Sequence, residues 1–260
     1  MIRALLFDYG GTLDTAACHW YYVLRRGYEV CHLRFVDHLL RDAYVYGERA
    51  LARYPIIQPH DDFYSLLQKK VDQEFQWLEK EGWLRFVSSD KPAVTSAEVA
   101  EDCNQHRYIL NESRLDKVEA IATWCDTFAR RHAQESAQVL EQLAGRFQLV
   151  LVSNFYGNLR AVVDAYGLGR FFPTIIESAT VGVRKPDPEI WRMAVRAAGC
   201  APEEAVAIGD SFGKDIKAAQ AAGCQTIWFK GREWKPTTYD HNLPTHVITN
   251  LTQLLPLLLP

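Results

Sequence analysis

No apolar run in this chain is long. The first, Ala4–Phe7, is cut short by Asp8, so a signal peptide is not expected. The "LLPLLLP" at the other end falls far below the length that spans a bilayer. Blocks of basic residues are also missing, and the formal net charge is −3. Nucleic acids and anionic membrane surfaces therefore have no electrostatic footprint to meet. The six cysteines (Cys18, Cys31, Cys103, Cys125, Cys200, Cys224) are scattered, with no CxxC pair. That excludes the spacing of a zinc ribbon or a dithiol redox site. Buried free thiols in a reducing compartment follow, and a cytoplasmic location is expected. The sequons at Asn111 and Asn250 are incidental on that reading. The chain shows neither an internal repeat nor a low-complexity tract.

What is present is enough apolar material for a sizeable core: 48% of 260 residues. Short, nearly continuous apolar runs recur at both ends of the chain: "RALLF" (3–7), "QLVLV" (148–152), "PTIIE" (173–177), "EAVAI" (204–208), "QTIWF" (225–229) and "HVI" (246–248). Strands buried on both faces read this way. Helical patterns lie between them: "ESAQVLEQLAGRF", "DPEIWRMAVRAAGC", "FGKDIKAAQAAGC" and "NLTQLLPLL". The first three end near Gly145, Gly199 and Gly223, and the last opens on Asn250 with Gln253 in capping-box spacing. Strands alternating with helices predict an α/β fold with a doubly wound parallel sheet.

Residues 16–135 read differently. They hold four of the seven tryptophans and eight of the twelve tyrosines, and they lack the short-strand rhythm. This stretch is expected to be helical, with a loop at "SSDKP" (88–92) and a helix over "TSAEVAEDCNQHRYIL" that opens on Thr95 and Glu98. The expected organisation is a core of residues 1–15 and 136–260, interrupted by a helical insertion of residues 16–135.

In open parallel sheets, ligands bind outside the carboxyl ends of the strands. Asp8 follows the first strand, Ser153 and Asn154 the second, and Gly209 and Asp210 the fourth; Lys185 stands in "GVRKPDP" after the third. Asp8, Asp210 and Asp215 supply the hard oxygen ligands that Mg²⁺ prefers. Lys185 brings a positive charge for a phosphoryl oxygen. Ser153 and the backbone N–H groups of Gly11 and Thr12 are candidate donors to the other oxygens. Asp8 is then placed to attack phosphorus and form an aspartyl phosphate. Asn154 either binds substrate or shapes the turn.

The strings "FDYGGTL", "VSN", "RKPDPEIW" and "GDSFGKDIKAA" resemble the four motifs of the haloacid dehalogenase-like hydrolase superfamily. That resemblance implies a Rossmann-like core with a helical cap inserted after the first strand. It implies Asp8 as nucleophile, Ser153 and Lys185 as phosphate binders, and Asp210 as a Mg²⁺ ligand. Asp215 would support the metal, directly or through water. The substrate would be a small phosphorylated molecule.

Gly10 departs from the family pattern. Phosphatases of this family usually read Asp-x-Asp-Gly-Thr, where the second Asp gives its carbonyl to Mg²⁺ and its side chain as acid and base. Gly10 keeps the carbonyl and loses the carboxyl. General acid–base help is worth about 10²–10⁴-fold in rate. The expectation is a weaker phosphatase, one that needs a good leaving group, or one that recruits another acid, with Asp14 and His19 the nearest candidates. Two alternatives stand beside it. One is a phosphonatase- or dehalogenase-like hydrolase cleaving a C–P or C–halogen bond. The other is a phosphate- or metabolite-binding protein with little or no turnover.

Plainer roles are expected elsewhere. Asp187 and Glu189 read as caps of the following helix. Trp20, Tyr21 and Trp77 read as core, His19 as a packing histidine, and Lys69 and Lys70 as solvated. Oligomeric state stays open, because apolar patches exist only in three dimensions.

Overall fold

The computed structural model describes residues 1–87, 107–234, 239–240 and 242–259. The chain divides into two compact units. One comprises Met1–Trp20 with Phe128–Pro260, and the other Tyr21–Thr127.

In chain order the elements are β1 (Ala4–Phe7), α1 (Trp20–Val30), α2 (Asp37–Arg53), α3 (Phe63–Lys80), β2 (Leu84–Phe86), β3 (Tyr108–Leu110), α4 (Arg114–Ala144), β4 (Gln148–Ser153) and α5 (Leu159–Ala165). There follow β5 (Thr174–Glu177), α6 (Ser178–Val181), α7 (Glu189–Ala197), β6 (Ala205–Gly209), a wide helical turn (Phe212–Lys217) running into α8 (Ala218–Ala221), β7 (Gln225–Phe229), β8 (His246–Ile248) and α9 (Leu254–Leu258).

The first unit is built on a six-stranded parallel sheet in the order β5-β4-β1-β6-β7-β8. All six runs read as strands from the sequence lie in it. The reason is physical: a strand covered by helices on both faces has no polar side to alternate with. β1 is wholly buried, as are Val150, Leu151, Val152, Ala207 and Ile208 of its two neighbours. On one face Leu6, Val150 and Val152 pack in a cluster with Ile190, Trp191, Ala194, Ala218 and Ala219 of the flanking helices. The alanines let those helices lie close to the sheet. The helical segment of α8 closes at Gly223 (φ +93°), where Cys224 N–H reaches back to the Ala219 carbonyl at 3.1 Å. Before α9, Asn250 Oδ1 accepts from Thr252 N and Gln253 Oε1 accepts from Asn250 N, at 2.9 and 3.0 Å.

Register brings the strand ends level. Phe7 pairs with both Leu151 and Ile208, so Asp8 leaves the sheet beside Gly209, one residue ahead of Asp210. Ser153, at the end of β4, pairs with Glu177.

The second unit is mainly helical, but not entirely. β2 and β3 form a two-stranded parallel pair, Leu84↔Tyr108 through Phe86↔Leu110. This corrects the helical reading of 16–135 and of the tail of the helix expected over 95–110. The rest of that helix and the loop at 88–92 lie outside the described residues. Tyr28, Phe35 and Phe75 form an edge-to-face group with centroids 6.1 and 5.7 Å from Tyr28. Asp62 caps α3 by accepting from Ser65 N at 2.8 Å. Lys70 is not solvated: it is buried, ion-paired with Glu48 and 4.1 Å from the Tyr44 ring centre. Lys69 is half-buried and pairs with Asp61. Tyr21 is buried, and Trp77 partly so. Among the described residues, no helix is long and apolar enough to cross a membrane.

Candidate active site

The site begins where β1 ends. Asp8 N–H still donates to the Ile208 carbonyl at 2.9 Å, so the sheet fixes the start of the loop. The chain then turns at once. Thr12 N and Leu13 N both donate to the Tyr9 carbonyl, at 3.1 and 2.9 Å. Gly11 sits at φ +99°, and a Cβ there would fall 2.5 Å from an Asp210 carboxylate oxygen. Glycine is required on both counts. Gly209 is held the same way, since its Cβ would meet the Asp215 carboxylate at 2.4 Å.

These close approaches gather the charges. The Lys185 ammonium donates to Asp8 Oδ1 at 2.6 Å and to Asp215 Oδ1 at 2.8 Å, and all three residues are buried. Thr12 Oγ1 donates to Asp8 Oδ2 at 3.0 Å and lies 3.4 Å from Asp210 Oδ1, while Asp210 N donates back to Thr12 Oγ1 at 3.1 Å. Carboxylate oxygens of Asp8, Asp210 and Asp215 all lie within 4.8 Å of one another. Asp215 is turned inward by the wide helical turn. Its second oxygen accepts from Ser211 N at 2.9 Å. Such widened turns concentrate at functional sites.

Three acids around one lysine leave an excess of negative charge, and the acidities show it. Burial pushes Asp8 up to about 6; Lys185 opposes that rise and Asp215 adds to it. Asp210 is held well above the usual carboxylate range by burial, then by the charges of Asp8 and Asp215. Burial works against the charge on Lys185, yet Asp215 and Asp8 keep it above its ordinary value. A hard divalent cation fits this donor set: all-oxygen ligands, close together and short of positive charge.

Each expected site residue has a definite place. Asp8, Lys185, Asp210 and Asp215 form one cluster. Ser153 is buried at the end of β4. The expected backbone donors are corrected: Gly11 N–H is engaged by Asp14 Oδ1 at 2.7 Å and Thr12 N–H by Tyr9, so both close the loop on itself. Thr12 enters through its hydroxyl instead. Of the two roles left open for Asn154, shaping the turn is the one seen. Its amide donates to the Lys185 carbonyl at 3.0 Å and accepts from Lys185 N–H at 2.8 Å.

Asp14 is fully buried, with its acidity pushed up to about 7 by burial against the opposing effect of Gly11 and Trp20 donors. Its second oxygen accepts from Trp20 Nε1 at 2.9 Å. Trp20 is therefore more than core. The ring of His19 lies against that of Trp234, centroids 5.1 Å apart. Asp187 caps as expected, accepting from Glu189 N at 2.9 Å, while Glu189 pairs with Arg192 and Arg196.

Two positioning groups escaped the sequence reading. Buried Glu177 accepts from Gly157 N and Leu159 N at 2.6 and 3.3 Å, and so fixes the loop after Asn154. The Trp191 ring lies 4.7 Å from Lys185 Nζ, a cation–π contact, and its Nε1 donates to the Lys214 carbonyl. The signal for Trp191 was its place in "RKPDPEIW"; Glu177 at the end of a strand carried none.

A family model described as haloacid dehalogenase-like hydrolase matches residues 2–223. The chain belongs to that family. Among curated members, the phosphoserine phosphatase of Thermus thermophilus is 41% identical over 81 residues, which is 31% of this chain and 32% of the relative. The phosphoglycolate phosphatase 1 of Pseudomonas aeruginosa is 38% identical over 146 residues, 53% of each chain. The chain thus matches between about a third and a half of these relatives' length. A solved structure described as a dehalogenase with intermediate complex superposes with a TM-score of 0.59 at 17% identity, covering 100% of this chain and 98% of the other. At that identity it shares the fold.

Proposed function

We propose that this haloacid dehalogenase-like hydrolase is a Mg²⁺-dependent phosphohydrolase of a small phosphorylated molecule, working through an aspartyl phosphate on Asp8. The observation that carries the proposal is the Lys185 ammonium locked between Asp8 and Asp215, with Asp210 beside them. Asp8 and Asp210 would hold Mg²⁺ together with the Gly10 carbonyl. Asp215, held by Lys185 and Ser211 N, would support the metal directly or through water. When bound, the metal supplies charge neutralisation and orientation of phosphoryl oxygens.

The chain's own residues supply the rest. Asp8, with its acidity at about 6, is mostly ionised at neutral pH and is the nucleophile. Thr12 and Lys185 fix its carboxylate from both oxygens, so little reorganisation precedes attack. Lys185 stays protonated and offsets charge on the transferred group. The Ser153 hydroxyl is placed as a further donor at the same sheet edge. The names of the curated relatives, phosphatases of small metabolites, support the substrate class. The unit Tyr21–Thr127 is proposed as the cap that sets selectivity, and a cytoplasmic location as the setting.

The test is phosphate release from a panel of phosphate esters and acyl phosphates, with Mg²⁺ and with chelator. Release is expected to need Mg²⁺ and to fall about 10⁴-fold or more in Asp8→Asn. Turnover that persists in chelator, or in Asp8→Asn, overturns the proposal.

A further inference from the structure

Position 10 is open space. Nothing described comes within 4 Å of where a Cβ on Gly10 would lie, and Gly10 is exposed without needing a positive φ. No neighbouring side chain has moved in to replace the one that is missing. The next acid along the chain, Asp14, is no substitute. Both its oxygens are engaged, by Gly11 N and Trp20 Nε1, and it is fully buried. It holds the loop and is closed off from solvent.

We infer that the substrates are acyl phosphates, phosphoryl donors whose leaving group departs as a weak base and needs no proton. This rests on the phosphohydrolase reading and narrows it. In the first step an Asp8 oxygen bonds to phosphorus and the bond from phosphorus to the acyl oxygen breaks. The electron pair stays on the departing carboxylate, which is stable as an anion at neutral pH. In the second step water bonds to phosphorus, the Asp8–phosphorus bond breaks, and the water proton passes to solvent. Inorganic phosphate and the Asp8 carboxylate result. An alkyl phosphate would have to expel an alkoxide, a far stronger base, and position 10 offers that step no acid. Position 10 offers the second step no side-chain base either, so the phosphorylated enzyme accumulates before steady turnover.

The experiment follows kcat/KM across a series running from acetyl phosphate through nitrophenyl phosphates to simple alkyl phosphates. Wild type, Gly10→Asp and Gly10→Asn are compared, the last to separate bulk from acidity. In wild type, log kcat/KM should fall steeply as the leaving group becomes more basic, and acetyl phosphate should give a burst of enzyme carrying one phosphoryl group. Gly10→Asp should flatten the slope, raising the ratio of alkyl to acetyl phosphate kcat/KM about 10²-fold or more over Gly10→Asn. Equal rates on acyl and alkyl phosphates in wild type overturn the inference. So does a slope that steepens in His19→Gln, which would assign the proton to that ring. Should Gly10→Asp fail to fold, the wild-type slope and burst still decide. Should neither wild type nor Gly10→Asp release phosphate from any compound or become phosphorylated, the phosphohydrolase reading itself fails.

Discussion

In the core unit, Asp8, Asp210 and Asp215 share one ammonium, that of Lys185. In the unit Tyr21–Thr127, Glu74 is equally buried, but its neighbouring ammonium, Lys70, is already paired with Glu48. Glu74 accepts one hydrogen bond, from Tyr28 OH at 2.8 Å, and its other oxygen has no hydrogen-bond partner among the described residues. Burial pushes it up to about 7, against the pull of Lys70 and Tyr28. The two regions therefore differ in degree, since burial raises the acids in both. Around Lys185, burial raises Asp8 and Asp210 too, but the ammonium and the Thr12 hydroxyl oppose it at Asp8 and leave that acid mostly ionised at neutral pH. Around Glu74, desolvation wins and the acid tends to neutrality, which burdens stability without serving a reaction.

The difference can be broken most forcefully at Lys185. Lys185→Met leaves three acids without their cation and should cost about 3–5 kcal/mol of stability at neutral pH, read by urea denaturation. Removing Asp8 in the same background should recover part of that loss, since it relieves the repulsion. At Glu74 the expected effect is smaller and has a direction in pH. The folded acidity of about 7 lies above the ordinary 4.5, so the native state holds the proton more tightly than the unfolded chain. Stability is greatest on the acid side of that window, falls as pH rises from about 4.5 to about 7, and levels beyond it. Glu74→Gln should abolish that part of the dependence, gaining up to about 3 kcal/mol over wild type at pH 8. A difference between the two proteins that does not change with pH would show Glu74 to be ionised throughout.

The smallest expected effect sharpens the view of the loop itself. Ala16 and Ala17 both sit in the left-handed region, at φ 53° and 60°, and Ala16 is exposed. Ala16→Gly should therefore stabilise the fold by up to about 1 kcal/mol, visible as a raised thermal midpoint. A loss of stability would show that the turn after Asp8 is not strained at that position.

Legibility followed the same division. The core strands were readable because burial on both faces leaves an unbroken apolar run, and even the three-residue "HVI" lies where the pattern put it. Asp8, Lys185 and Asp210 were readable because each follows such a run. The insertion offered no comparable signal. β2 and β3 are three residues each, too short for any period to show, and the "YIL" of β3 resembles the end of a helix. α4 begins at Arg114, well before the "ESAQVLEQLAGRF" that announced it. The burial of Lys70 depends on Glu48, a partner on another helix. Within the site, what stayed hidden was which donors are already engaged. No spacing rule tells that the Gly11 amide faces Asp14, or that Trp20 supplies the second bond.

The central place of β1 has a consequence for how the chain is made. Its four residues are made before either neighbour strand, for Ala4 pairs with Gln148 on one side and Ala205 on the other. β1 must wait, without its partners, while the aromatic-rich insertion is synthesised. Contacts so distant along the chain form slowly and leave sticky edges exposed in the meantime. The meeting of Asp8 with Asp210 is thus deferred until β6 has been made, and a nascent chain halted before that strand lacks the acid cluster.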